Sequence, residues 1–259
     1  FWVRVLWESP RIRLMGFSQL VTSGFGLLGS LCFCFLLVPQ LRLNASRQST
    51  EGLSFCLITI WHVGTSLIVG YLMTVPGSEQ EAACFGVYIL CSCAIYGQFA
   101  EYRPGSKGSS ASRRRLDLFG ATTAAVVITL FIVLCFYCLM LKMNDLCRFV
   151  AGSIMPTLMI LVGFLPQVYH FLATGNIEGY SFGLSVLDAL GCLSNTIVLF
   201  AGKDVNLLDA FESAVPLICI MTAHVILIST AIVVSSVGVS PRASKVDSNE
   251  LDRTLLDAV

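Results

Sequence analysis

Charged residues are scarce in this chain, and their scarcity argues against a soluble fold. Of its 259 residues, 12% are charged and 56% are hydrophobic, whereas soluble domains carry about 25% charged residues. The formal net charge is zero, so we expect no nucleic-acid partner. The chain instead contains apolar runs of about 20 residues, each long enough to cross a bilayer core of roughly 30 Å. We therefore predict an all-α membrane protein with seven transmembrane helices and a lipid environment.

Residues that could carry catalysis or bind a metal are also few. The chain has three histidines and 11 cysteines, and most of the cysteines lie inside apolar runs, where Cys behaves as a small hydrophobic residue. The CxxC pair Cys135–Cys138 has no second pair or histidine at zinc spacing. We find no nucleophile–base pair either. The sequence thus predicts no enzymatic activity, no metal site and no bound cofactor.

One stretch occurs twice, and the rest of the chain is organised around it. The first copy reads LLVPQLRLNASRQSTEGLSF (residues 36–55) and the second reads GFLPQVYHFLATGNIEGYSF (residues 163–182). Ungapped identity at this spacing predicts two copies of one structural unit. Seven residue pairs lie 127 positions apart without a gap: Pro39/Pro166, Gln40/Gln167, Glu51/Glu178, Gly52/Gly179, Ser54/Ser181, Phe55/Phe182 and Gly64/Gly191.

The predicted spans arrange these copies as two parallel three-helix repeats joined by a linking helix (3+1+3). Four predicted spans lie between the two Pro-Gln positions, so both copies have the same orientation, as in a known class of transporters. We expect a flexible basic linker over 103–116 and the linking helix over 117–141. We divide the chain into an N-terminal interfacial segment (1–16), the first repeat (17–101), a basic loop with the linking helix (102–148), the second repeat (149–236) and a disordered tail (237–259).

Basic residues predict the orientation in the membrane. Ten Lys and Arg residues lie on the side of the Pro-Gln loops and the C-terminal tail, and six lie on the other side. Because basic loops stay in the cytosol, we expect a cytosolic C-terminus.

Pro39 and Pro166 lie near the ends of the first and fifth predicted spans. Each lacks a backbone donor, which frees the carbonyl four residues earlier, on Phe35 and Val162. We expect Gln40 and Gln167 to help satisfy these carbonyls, because a free carbonyl in lipid is costly, and we interpret the two Pro-Gln pairs as hinges. The alternative is that each proline simply ends a helix.

Asp188 is the one acidic residue in the interior of a predicted span. At 100° per residue, Ser185, Asp188 and Asn195 share one face with Ser181 and Cys192, so the sixth span carries a polar stripe. Ser and Asn alone would fit hydrogen bonding between helices. A carboxylate at this depth indicates a substrate or proton path instead.

Three further residues are candidates for the same site. His62 and His224 lie in the second and seventh predicted spans and could relay protons, although a neutral buried His can also be a packing residue. Trp61 occupies in the first copy the position of Asp188 in the second, and could form a pocket wall. Core packing is the alternative for Trp61.

The motifs resemble those of the PQ-loop family, relatives of the SWEET sugar transporters. The resemblance rests on the two Pro-Gln turns and on the entries to the second and sixth spans. GYSFGLSVLDALG (179–191) is most similar to cystinosin-type members, and STEGLSFCLITIWHVG (49–64) to the vacuolar and lysosomal cationic amino-acid exporters. In cystinosin-type members the matching Asp takes part in proton-coupled transport, a role the resemblance extends to Asp188.

The resemblance implies a proton-coupled transporter that exports a cationic or cystine-like amino acid from an acidic organelle, vacuolar or lysosomal, by alternating access. A SWEET-type sugar uniporter and a cargo receptor similar to the KDEL receptor are the alternatives. A receptor for a peptide carboxylate calls for a cation in the cavity, and the predicted span interiors contain none. Further expected partners are a second copy of the chain and a sorting adaptor that reads the DxxLL motif Asp252, Leu255 and Leu256.

Overall fold

The computed structural model describes residues 17–76, 78–103, 110–201 and 207–236, with the side chains of 17–21, Gln80 and 207–213 left aside. These residues contain helices and no β-strand, so the all-α prediction is confirmed. Seven helical segments are long and apolar enough to span a membrane, as predicted: Thr22–Arg47, Phe55–Leu72, Glu81–Glu101, Ala111–Met140, Asp145–Thr174, Phe182–Ala201 and Ala214–Ser236.

Two of the spans are interrupted. The first is divided by a turn at 35–37, and the fifth contains a π-helical turn, Val150–Ile154. In chain order we label the helices of the described residues α1 (Phe17–Cys34), α2 (Val38–Arg47), α3 (Phe55–Leu72), α4 (Glu79–Glu101), α5 (Ala111–Met140), α6 (Asp145–Phe149), α7 (Met155–Thr174), α8 (Phe182–Ala201) and α9 (Leu207–Ser236).

Local sequence signals explain several helix ends. Ser54, Ser110 and Asn144 each accept a hydrogen bond at the start of α3, α5 and α6, from a backbone N–H three residues later, which is how N-caps satisfy free donors. Gly175 ends α7 in a left-handed conformation with φ 65°, which costs glycine little.

The linking helix corrects one prediction. α5 begins at Ala111, inside the segment expected to be a flexible linker, because Ser110 caps it and the three arginines that follow tolerate a helix. The linker was predicted from the Gly/Ser-rich composition of the segment, which does not show whether a serine caps a helix. The helix packs against α3 and α4, so it lies with the first repeat.

The two repeats contact each other reciprocally. α1 of the first repeat packs on α8 of the second, and α7 of the second repeat packs on α3 of the first. Gly64 and Gly191 allow close approach at equivalent points. A Cβ at Gly64 would lie 3.1 Å from Ile160, and one at Gly191 would lie 3.0 Å from Phe33. Ile160 and Phe33 are also 127 residues apart, so the same contact forms twice, as expected for parallel repeats.

Candidate functional site

Gln40 ties the first repeat to the second. Its side-chain amide donates to the Gly179 carbonyl at 2.8 Å, and its oxygen accepts from the Ser181 N–H at 2.7 Å. The side chain is fully buried and also donates to Asn44 at 2.7 Å. Gln40 thus pairs with the backbone of the opposite repeat's loop, just before α8 begins.

Gln167 makes the same contacts in the other direction. It donates to the Gly52 carbonyl at 2.9 Å and accepts from the Ser54 N–H at 2.8 Å, and it is also fully buried. The residues of the two sets correspond at the 127-residue offset: Gln167 to Gln40, Gly52 to Gly179 and Ser54 to Ser181. We call the four cross-repeat hydrogen bonds of the two glutamines the glutamine crossing, and the end of the bundle that contains it the PQ end.

Backbone contact completes the PQ end. A Cβ on Gly179 would lie 1.7 Å from the Glu51 carbonyl oxygen, and one on Gly52 would lie 2.7 Å from the Gly179 Cα. Gly52 also has φ +92°, a conformation that favours glycine. The two loops therefore touch at their glycines, and the glutamine crossing holds them together.

These contacts correct the expectation for the prolines. The Phe35 carbonyl accepts the Val38 N–H at 3.1 Å, so the turn before α2 already satisfies it. Pro39 lies in the first turn of α2, whereas Pro166 lies inside the unbroken α7. Gln40 and Gln167 therefore bond the opposite repeat rather than carbonyls freed nearby. A hinge at either proline stays a prediction.

Asp188 and His224 form a buried pair between α8 and α9. The His224 Nε2 lies 2.5 Å from the Asp188 Oδ2. His224 is 0% exposed and Asp188 is 6% exposed, and the thiol of Cys192 lies 3.8 Å from the other carboxylate oxygen. The structure thus brings two of the predicted site residues into direct contact, which creates an acid–base pair in the bundle interior.

Aromatic side chains surround the imidazole. Phe164 and Trp61 contact His224 edge to face, with ring centroids 4.6 and 5.9 Å away. The Trp61 indole N–H donates to the Ile160 carbonyl at 3.0 Å, which fixes the indole against α7. Trp61 thus lies beside His224, and its role as a pocket wall stays a prediction.

The remaining stripe residues of α8 have separate neighbours. Ser185 is fully buried and lies 2.9 Å from the Tyr180 hydroxyl. Asn195 lies about 10 Å farther along the helix axis than Asp188 and packs against Gly29 of α1, where a Cβ would lie 2.8 Å from its side-chain oxygen. Ser185 thus adjoins the pair from the PQ end, and Asn195 lies on its far side.

His62 lies away from this pair. Its Nδ1 is 2.5 Å from the Ser92 hydroxyl and its Nε2 is 2.7 Å from the Thr129 hydroxyl. The imidazole therefore links α3 to α4 and α5 within the first repeat. These contacts fit a packing role, so His62 is left out of the site that Asp188 and His224 define.

Tyr180 and Phe164 are site residues that the sequence patterns missed. Tyr180 is 2% exposed, and burial raises its pKa, with the Asp188 charge raising it further, so the phenol remains protonated. Comparison of the two copies could have identified these residues, because Tyr180 and Phe164 stand where the first repeat has Leu53 and Leu37. An aromatic residue in place of an aliphatic one marks the asymmetric part of the interface.

The Asp188–His224 pair lies between two sets of contacts that join the repeats. The glutamine crossing lies at the PQ end, and the contacts of Gly64 and Gly191 lie one helical turn beyond Trp61 and Asp188 on the other side. Asp252, Leu255 and Leu256, like the segments 1–16 and 237–259, lie outside the described residues.

Comparison with known proteins agrees with this architecture. Residues 21–80 match the family model of the PQ loop repeat. Over 206 residues the chain is 24% identical to an uncharacterised protein of Schizosaccharomyces pombe (strain 972), covering 74% of this chain and 69% of that protein. A solved eukaryotic SWEET transporter shares the fold, with a TM-score of 0.54 and 14% identity over 85% of this chain and 99% of that one.

The chain therefore contains a match to the PQ loop repeat over residues 21–80 and has the fold of a solved SWEET transporter, as the repeats predicted. Its family model covers the first copy of the repeat, and the second is recognised from the internal identity and the reciprocal contacts. The closer likeness to cystinosin-type members stays a prediction.

Proposed function

We propose that this chain is a membrane transporter that carries a small solute by alternating access. The observation that carries the proposal is the buried Asp188–His224 contact, which lies between the two sets of contacts that join the repeats of a SWEET-like bundle. Ionisable groups inside a membrane protein are costly, and most mark a substrate or ion path. A stability role alone would be better served by apolar side chains of similar volume.

The proposed cycle opens one end of the bundle at a time. Separation of the glutamine crossing would admit solute from the PQ end, and separation of the Gly64 and Gly191 contacts would admit it from the other side. Because each set contains one contribution from each repeat, rocking one repeat against the other would break a whole set together. Pro39 and Pro166 are the proposed hinges, and the PQ end is the proposed cytosolic end.

The proposed solute is an amino acid, and the proposed driving force is a proton gradient. Asp188 can bind an ammonium group, while the pair as a whole can exchange protons. Export from an acidic organelle, vacuolar or lysosomal, follows from the family resemblance and is part of the same proposal. A sugar uniporter is the second candidate, since a solved structure with this fold is a SWEET transporter.

Uptake by purified protein in proteoliposomes tests the proposal. Lysine, cystine, alanine and glucose would each be measured with and without an acidic exterior, on wild type and on Asp188→Asn. Asp145→Asn is the matched control, because the Asp145 side chain is 99% exposed and forms a surface ion pair with Arg148 at 3.2 Å. We expect acid-stimulated amino-acid uptake in wild type and the control, and loss in Asp188→Asn. Glucose uptake insensitive to pH and to the substitution would favour the uniporter instead.

A further inference from the structure

One nitrogen of the buried pair has no hydrogen-bond partner among the residues that the structure describes. The Nε2 of His224 contacts Asp188, but its Nδ1 is buried and makes no hydrogen bond, although the whole side chain is 0% exposed. Buried polar atoms are nearly always satisfied, and each exception calls for an explanation such as a missing ligand. The unpaired Nδ1 is therefore a buried acceptor at which a proton or a polar group of a solute could bind.

The contact with Asp188 determines how the pair can take up a proton. In neutral His224, the Nε2–H donates to the carboxylate and the Nδ1 is a bare acceptor. A proton can then add to the Nδ1 and leave again while the Nε2–H···Oδ2 bond persists. A proton added to the bonded Asp188 oxygen would have to displace this hydrogen bond. The geometry thus favours the imidazole over the carboxylate as the group that gains and loses the proton.

No other charged side chain contacts the pair within the described residues. The helices packed on α9 present Asp188 and Cys192 from α8 and Phe164 from α7, and Trp61 reaches the imidazole from α3. The nearby ionisable groups lie around the carboxylate rather than the Nδ1, namely Cys32, Tyr88, Tyr180 and Cys192. The charge of the site is therefore the charge of the pair: minus one with neutral His224, and zero with the imidazolium.

We propose that the Nδ1 of His224 carries the coupled proton, one per transport cycle, and that the protonated pair binds a zwitterionic amino acid. The α-ammonium group lies on Asp188 and the α-carboxylate accepts from the Nδ1–H. The loaded site then has zero net charge, whereas a cationic amino acid would leave one buried charge uncompensated, which is costly. The proton binds to the Nδ1 and is later released from the same atom, so no other covalent bond forms or breaks. This inference rests on the proposed function and names its proton site and substrate class.

Nitrogen NMR tests the proton site without any transport assay. The protein would be labelled with ¹⁵N-histidine in detergent, and His62→Gln and His170→Gln would assign the three histidines. We expect acidification to add a proton to the His224 Nδ1 while the Nε2 keeps its proton, and alanine to shift the midpoint of that change upward, because a ligand that prefers one protonation state favours it. A Nδ1 that does not titrate, or a midpoint that alanine leaves unchanged, would overturn the inference even if transport occurs.

Uptake by His224→Gln supplies the functional test. Glutamine can still donate to Asp188 but cannot hold a proton. With one coupled proton, wild type should accumulate alanine about tenfold per unit of pH gradient; His224→Gln should equilibrate alanine with no accumulation. His224→Asn is the second variant if glutamine prevents folding. The inference is overturned if either variant accumulates alanine as strongly as wild type does. It is also overturned if wild type accumulates more lysine than alanine. Both outcomes would still leave the protein a coupled transporter. Absence of uptake of both amino acids and glucose by wild type would overturn the proposed function itself.

Discussion

The PQ end and the centre of the bundle use the internal repeat in opposite ways. At the PQ end, Gln40 and Gln167 make the same two hydrogen bonds to equivalent backbone atoms of the opposite repeat. At the centre, Asp188 corresponds to Trp61, and His224 corresponds to Gly97. The acid–base pair thus exists once, although the scaffold that encloses it exists twice.

The first repeat has no room for a second pair. A Cβ on Gly97 would lie 2.2 Å from the Thr122 hydroxyl of α5, so the linking helix occupies the space in which a histidine would lie. The symmetric contacts therefore join the two repeats, whereas the acid–base pair belongs to the second repeat alone, with Trp61 of the first repeat packed beside its imidazole.

The largest effect on this comparison is expected from Gly179→Ala. The new Cβ would overlap the Glu51 carbonyl oxygen, which forces the loops apart and strains the glutamine crossing from both directions. Overpacking of this kind costs up to about 3 kcal/mol of folding free energy, measured as a fall in thermal midpoint in detergent. Gly86→Ala is the control, since a Cβ there meets nothing within 4 Å. Equal stability of the two variants would contradict the contact.

Gln40→Met and Gln167→Met test whether the two halves of the crossing are equivalent. Each substitution keeps the volume but leaves a buried N–H and carbonyl unpaired, at a cost of about 1–3 kcal/mol. We expect similar losses, slightly larger for Gln40→Met because Asn44 also loses a partner. Thermal unfolding measures both. A loss confined to one variant would show that the crossing is not symmetric in energy.

Trp61→Phe, compared with Asp188→Asn, tests the asymmetry of the centre. The phenylalanine keeps an aromatic wall beside His224 and loses the hydrogen bond to the Ile160 carbonyl, worth about 1 kcal/mol. We expect a small loss of stability with most transport retained, whereas Asp188→Asn should abolish it. Proteoliposome uptake distinguishes the two. If Trp61→Phe were as inactive as Asp188→Asn, the two equivalent positions would share one role.

The smallest effect is expected from Arg47→Ala. Arg47 lies 3.7 Å from Glu178 across the repeats, and the Glu178 side chain is 82% exposed. An exposed ion pair contributes about 0.5 kcal/mol or less and is screened by salt. We expect the thermal midpoint of the variant to differ little from wild type in low salt and not at all in high salt. A large fall in the thermal midpoint that does not depend on salt would show that Arg47 contributes to the stability of the glutamine crossing.

Composition, hydropathy and the internal repeat were enough to predict the class of fold. The lengths of the apolar runs predicted the seven spans, because a helix that satisfies its own backbone is what crosses a bilayer. The 127-residue offset predicted two parallel repeats, since an even number of crossings separates them. Asp188 was predicted from chemistry alone, because an acid within an apolar span is costly unless it has a function.

Only the tertiary structure decided which side chains meet. His62 and His224 were equivalent candidates in sequence, yet one reaches Ser92 and Thr129 within the first repeat and the other reaches Asp188. Gln40 was expected to act near its own proline, but its partners lie about 140 residues away in the chain. Helical periodicity gives the face that a residue occupies, whereas the helix that packs on that face depends on how the repeats associate. That association determined both the glutamine crossing and the single acid–base pair.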